Sequence, residues 1–160
     1  MHGTNIIILS TMKNLFKSTL IIAGMLLMSN SSCQKDSIDG IKTEEFNLPF
    51  EINLNGKVIL PKSNSELMIE FVQLADSRCP TGVQCVWAGN ALVNLILSVK
   101  EAKAETALCL GQCKDGFRTS DTTKVSLNNN IYSVILQEVK PYPEKEKSEN
   151  KKVVLVVKKG

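Results

Sequence analysis

The chain reads as an all-β protein, a small antiparallel β-sandwich or barrel of about 7–8 strands stapled by disulfides. Three features predict this. Apolar and polar residues alternate with a period of two from Phe46 onward. Turn-forming residues punctuate the chain at fairly regular spacing. No stretch of the same region sustains a helical period.

The elements follow in order. Phe46, Leu48, Phe50, Ile52 and Leu54 alternate with polar residues and Pro49, which marks a half-buried edge strand. Asn55-Gly56 is a strong hairpin signal, so Lys57–Leu60 is expected to return beside that strand. Pro61–Ser65 reads as a loop and Glu66–Leu74 as a second long strand, apolar at Leu67, Ile69 and Phe71. Ala91–Val99 is a third. It carries apolar residues on both sides and reads as central. Lys100–Glu105 is expected as a polar turn and Thr106–Leu110 as a short strand. Val125–Leu127 is another, ended by Asn128-Asn129-Asn130, which tolerate turn conformations. Ile131–Val139 and Lys152–Val157 form the last pair, joined by Pro141-Tyr142-Pro143 and a Glu/Lys-rich run.

Residues 1–32 read as an export signal. A basic stretch with Lys13 and Lys17 precedes the apolar run Leu20–Met28 and the small residues Ser29-Asn30-Ser31-Ser32. The apolar run is too short for a bilayer core, which takes roughly 20 residues. Met12 is the natural start, and residues 1–11 read as an upstream extension. Ser32-Cys33 resembles the lipobox of bacterial lipoproteins, although Asn30 stands where that motif usually has Leu. The resemblance implies lipidation at Cys33. Ordinary cleavage after the small residues is the alternative. Acylated Cys33 would leave Cys79, Cys85, Cys109 and Cys113, an even number for an oxidising compartment. Residues 33–45 are then a polar tether with a reach of roughly 40 Å. Its start, Gln34-Lys35-Asp36, resembles a signal for the outer face of the outer membrane, and a plain tether fits as well. Residues 46–160 form the single all-β domain.

The most distinctive segment is Asp76–Asn90, between two strong strands. Pro80 and Gly82 bend the chain between Cys79 and Cys85, and Leu110-Gly111-Gln112 separates Cys109 from Cys113. Four cysteines permit three pairings; the local one, Cys79–Cys85 with Cys109–Cys113, is the expectation. A zinc site is the rival reading, but these arms lack the usual spacing of two to four residues. Trp87 reads either as a core aromatic on the disulfide or as a ligand-stacking platform. Arg78 and Asp76 read as an exposed local ion pair, worth at most about 1 kcal/mol. Trp87, Arg78 and Tyr142 are the candidate ligand contacts. A flat row of exposed Tyr132, Tyr142 or Trp87 would mark a glycan site.

The D-S-R-C-P and C-V-W-A-G stretches, with Pro141-Tyr142-Pro143 before the last strand, resemble a group of small uncharacterised secreted or lipid-anchored bacterial proteins. The resemblance covers most of residues 46–158. It implies an all-β fold and an exported location, and no activity.

Of 19 basic residues, Lys13 and Lys17 fall in the export signal, which leaves 17 against 16 acidic ones. So balanced a surface argues against nucleic acid, which needs concentrated positive charge. The single histidine, His2, also lies in the part expected to be removed. The mature chain then lacks histidine-dependent catalysis and imidazole metal ligation, and no cofactor or metal is expected. Glu51, Glu66, Glu70, Asp76, Asp115 and Asp121 leave a carboxylate hydrolase as one alternative. The leading expectation is a lipoprotein anchored to the outer membrane, with a non-catalytic binding or accessory domain for an envelope protein or glycan. A protease-inhibitor-like module would instead present the Cys79–Cys85 loop, with Thr81–Gln84 protruding.

Overall fold

A computed structural model describes residues 41–144 and 150–160. The export signal, Cys33, most of the tether and part of the Glu/Lys-rich run lie outside the described residues. The described residues form ten strands and no helix: β1 (Lys42–Thr43), β2 (Pro49–Asn53), β3 (Lys57–Leu60), β4 (Leu67–Asp76), β5 (Asn90–Val99), β6 (Ala102–Cys113), β7 (Gly116–Arg118), β8 (Asp121–Leu127), β9 (Asn130–Lys140) and β10 (Lys152–Lys159). They make two sheets, a six-stranded one in the order β1-β3-β4-β5-β6-β7 and a four-stranded one in the order β2-β10-β9-β8. The all-β class and the disulfide staples are as expected; the strand count is higher.

Both sheets feed one hydrophobic core. Ile69, Phe71, Val93, Leu95 and Leu97 from the larger sheet meet Phe50, Val134, Leu136, Leu155 and Val157 from the smaller. Each large apolar side chain buried there contributes about 1.5–3 kcal/mol. Pro49 opens β2, the outermost strand of the smaller sheet, where its missing N–H costs no ladder bond. β5 lies between β4 and β6, in keeping with its two apolar sides.

The Asn55-Gly56 turn departs from expectation. It does not close a hairpin, because β2 pairs with β10 and β3 with β4. Asn55, at φ 64°, hands the chain from one sheet to the other. Its N–H donates to the Phe71 carbonyl at 2.8 Å, and the Phe71 N–H donates to the Gly56 carbonyl at 3.1 Å. The dipeptide supplies the reversal, and the core decides which strands pair. Leu48 is 58% exposed instead of inward, because Asn47 at φ 65° interrupts the alternation before β2 begins.

Three further corrections concern weakly apolar segments. Lys42–Thr43, read as tether, forms a strand parallel to β3, the one parallel pairing among the described strands. Lys100–Glu105 is not all turn: Lys100 takes φ 54° and β6 begins at Ala102. β7, and β8 before Val125, carry so few large apolar residues that their alternation left little trace in the sequence.

A bulge in β4 sets up the site described next. Phe71 pairs with Leu95, and Gln73 pairs with Asn94, so Val72 is inserted. The insertion shifts the inward phase from Leu67, Ile69 and Phe71 to Leu74 and Asp76. A matching shift in β9 leaves Gln137 unpaired between Leu136 and Glu138, and Val139 turns inward. Deleting Val72 should leave Gln73 outward between Phe71 and Leu74 and Asp76 still inward, so the Arg78 pair should survive and urea unfolding should show a loss of about 0.5–3 kcal/mol.

Candidate functional site

The end of the sandwich where β4 stops and β5 starts is organised around a buried ion pair. Arg78 Nε and Nη2 donate to the two carboxylate oxygens of Asp76, both at 2.8 Å. Each side chain is 8% exposed, so the pair is not the surface contact the sequence suggested. Arg78 Nη2 also donates to the Val139 carbonyl at 3.1 Å, which ties the larger sheet to the smaller. Lys151 Nζ adds a bond to Asp76 at 3.3 Å and one to the Pro141 carbonyl at 3.2 Å. The guanidinium carbon lies 4.5 Å from the centre of the Tyr142 ring. Burial pushes the Asp76 carboxyl up, but hydrogen bonds and charge from Arg78, with help from Lys151, outweigh it and hold the group below its ordinary value.

The segment after Arg78 is a braced loop. Cys79 and Cys85 form a disulfide with Cα atoms 5.9 Å apart. The Val83 N–H donates to the Pro80 carbonyl at 3.3 Å, and Gly82 at φ 72° supplies the left-handed position of that turn. Closing so short a loop is worth about 2 kcal/mol in the chain-entropy model. Two bonds continue the β4–β5 ladder into the loop: Ser77 N–H to the Asn90 carbonyl at 2.7 Å, and Cys79 N–H to the Ala88 carbonyl at 2.9 Å. The Thr81 N–H donates to the Pro143 carbonyl at 3.0 Å, which joins the loop to the β9–β10 connection.

The second disulfide, Cys109–Cys113, lies within β6, with Cα atoms 6.1 Å apart. An extended strand would separate residues four apart by about 13 Å, so the chain bends between them at Gly111, φ 90°. Gly111 faces Gly89 of the first loop. A Cβ at Gly111 would lie 2.7 Å from the Gly89 carbonyl oxygen, which itself accepts from the Gln112 N–H at 2.8 Å. Two side-chain-free residues thus let the two disulfide loops touch through their backbones. Where β7 stops covering β6, Asp121 of β8 accepts the free Cys109 N–H at 2.9 Å and Arg118 Nη1 at 2.7 Å.

These loops carry the exposed apolar side chains. Among the described residues every exposed aromatic sits here: Trp87 at 79%, Phe117 at 66% and Tyr142 at 48%. Val86, at 91%, and Val83 extend the surface. Phe117, Tyr142, Ala88, Gly111 and Arg118 help to line a groove of about 270 Å³ whose inner wall includes Arg78.

The candidate contacts Arg78 and Tyr142 therefore come together, with Trp87 beside the groove through Ala88. Trp87 is not the core aromatic that was one reading of it, because the loop beneath it is too small to cover an indole. Tyr132 is not part of an exposed row. It is fully buried, and its hydroxyl donates to Glu66 at the opposite end of β4. Phe117 was missed, since a lone Phe beside a turn gives no periodic signal. Each of the six candidate carboxylates sits in an ion pair: Glu51 with Lys152 and Lys140, Glu66 with Lys159, Glu70 with Lys57, Asp76 with Arg78 and Lys151, and Asp115 and Asp121 with Arg118. Among the described residues no three His, Cys, Asp or Glu side chains come together as a metal site. Comparison of the chain with protein families, curated proteins and solved structures gives no match.

Arg78→Ala leaves Asp76 buried without its main partner and should cost about 3–5 kcal/mol in urea unfolding. Arg78→Lys should recover only part, because one ammonium cannot span both carboxylate oxygens. The pH dependence has a definite sign. Between the lowered folded value of Asp76 and its ordinary 3.8 the unfolded chain binds the extra proton. Stability should therefore fall as pH drops through that window and hold above it. The acid slope should flatten in Arg78→Ala, as measured by urea midpoints across the acid range.

Proposed function

We propose that the protein is a lipid-anchored lipoprotein of the bacterial cell envelope whose β-domain is a non-catalytic module that binds a protein partner through its disulfide-bearing end. One observation carries the binding part. The exposed aromatic side chains among the described residues gather on one rim, with Val83 and Val86 beside them. Aromatic side chains are enriched at interface cores and among binding hot spots. Contiguous exposed apolar surface of this kind marks interaction sites on soluble domains. The rim is rigid, since two disulfides, the Gly89–Gly111 contact and the Arg78 pair hold it from beneath, and rigidity lowers the entropy lost on binding.

A protein fits this rim better than a glycan. The valines widen the apolar face without offering a stacking plane, and Tyr132 is buried instead of completing a row. A protease-inhibitor-like module is the second reading, favoured by the exposure of Thr81–Gln84. The hydrogen-bonded turn at Pro80–Val83 favours the first, because strand-like recognition requires an extended segment. Support for the anchor comes from the basic, apolar and small-residue order that ends at Ser32-Cys33, and from the pairing of the other four cysteines. Such disulfides suit an oxidising, extracytoplasmic compartment.

Mass spectrometry of the mature N-terminus should find a diacylglyceryl thioether on Cys33; an unmodified terminus upstream of it would refute the anchor. A photo-crosslinking residue at Val86, introduced in the producing cell, should capture one discrete protein. The same residue at Leu48, exposed elsewhere on the domain, should not. With the captured protein purified, Trp87→Ala should weaken binding about 30-fold, the effect of losing a hot spot of about 2 kcal/mol.

A further inference from the structure

The two disulfides differ in a way their sequence positions do not show. Cys109 and Cys113 are buried, at 9% and 6% exposure. Cys85 is exposed and Cys79 half-buried. Thiol–disulfide exchange requires the attacking thiolate to reach a sulfur, so access separates the two bonds. The exposed one closes the loop that carries Val83 and fixes the start of the stretch that carries Val86 and Trp87.

We infer that Cys79–Cys85 is a reducible latch on the binding rim, and that Cys109–Cys113 is a permanent staple. The inference rests on the rim being the binding surface. The reductant is a dithiol. One thiolate attacks Cys85 Sγ, the Cys79–Cys85 bond breaks, and Cys79 Sγ leaves and takes up a proton. Its S–H then has the Val83 carbonyl as an acceptor, with Sγ and oxygen 3.4 Å apart. The second thiol of the donor attacks the mixed disulfide and frees the Cys85 thiol. Two electrons and two protons pass to the protein, and the donor ends as a disulfide.

What opens is confined by the contacts that remain. The bonds Ser77–Asn90, Cys79–Ala88 and Gln112–Gly89 do not involve sulfur, and neither does the Arg78 pair. They hold both feet of the loop. Between the feet, the Val83–Pro80 turn bond and the Thr81–Pro143 bond both lie before Val83. Gln84–Trp87 make no hydrogen bond to the described residues, so the Cys79–Cys85 bond is what ties them down. Reduction therefore frees Trp87 and its neighbours and leaves the sandwich intact. Trp87 is the only tryptophan in the chain, so its emission reports this stretch alone.

The test treats the purified full-length chain with a rising dithiothreitol series, traps thiols with N-ethylmaleimide and maps them by peptide mass spectrometry. Cys79 and Cys85 should be labelled at about tenfold lower dithiothreitol than Cys109 and Cys113. Trp87 fluorescence anisotropy should drop at the first step with no change in the β-sheet circular dichroism. Simultaneous opening, the reverse order, or an unchanged anisotropy after the first step would each overturn the latch. Cys79→Ser/Cys85→Ser provides the open form without reductant and should show the same low anisotropy. Crosslinking from Val86 separates the two readings. Loss on selective reduction supports the latch. If Trp87→Ala abolishes capture while the reduced protein is captured as well as the oxidised one, the latch fails and the surface stands. If capture from Val86 is absent in the oxidised protein, the surface itself fails, whichever disulfide opens first.

Discussion

A guanidinium and a carboxylate removed from water organise the disulfide-bearing end of this domain. Asp76 and Arg78 are two residues apart, yet their bonds reach much further. Through the Val139 carbonyl they touch the second sheet, through Tyr142 the β9–β10 connection, and through Lys151 the entry to β10. Burying two charges is expensive, and here the cost is offset because both Asp76 oxygens are bonded and three of the five guanidinium N–H groups donate. The pair becomes useful to the rest of the structure for the same reason. It has one satisfactory geometry, so the loop that leaves Arg78 starts from a fixed point.

That arrangement depends on a backbone irregularity. Were Val72 paired in a regular ladder, the alternation that buries Ile69 and Phe71 would carry Asp76 to the outer face. The four-stranded sheet makes a similar adjustment at Gln137, beside the carbonyl that receives Arg78. Two phase shifts on facing sheets thus converge where the disulfide loops begin. Beyond them, Gly89 and Gly111 bring two covalently closed loops into backbone contact.

The strongly amphipathic strands were legible in the sequence. Ala91–Val99, Ile131–Val139 and Lys152–Val157 fall inside observed strands, and Glu66–Leu74 does so from Leu67 onward, since alternation of large apolar residues is a local signal of a buried face. What stayed hidden was either weakly apolar or decided at a distance. Ala102–Thr106 alternates with alanines and a threonine, too small to stand out. Asn55-Gly56 announces a reversal but not that its two arms belong to different sheets. At the site, the four cysteines, Arg78 and Tyr142 were visible as unusual residues in an unusual segment. Their burial was not: the difference between a surface ion pair and an interior one at Asp76 and Arg78 lies in the bulge and in residues sixty to seventy-five positions away. Phe117 gave no warning, because its place beside the groove that Tyr142 also lines is set by the fold and not by its neighbours in sequence.

The position of β10 has a consequence for when the fold can exist. This strand lies between β2 and β9 in the four-stranded sheet, and although β9 directly precedes it, β2 is made about a hundred residues earlier. Until residue 159 has emerged, β2 has nothing to pair with and the core lacks one wall. A nascent chain of this topology can pair β3 to β7 in sequence order but cannot seat β2, and contacts so distant in sequence form slowly. Closure of the four-stranded sheet is therefore a late event that needs both ends of the domain, and a chain cut short of β10 leaves β2 without its ladder partner.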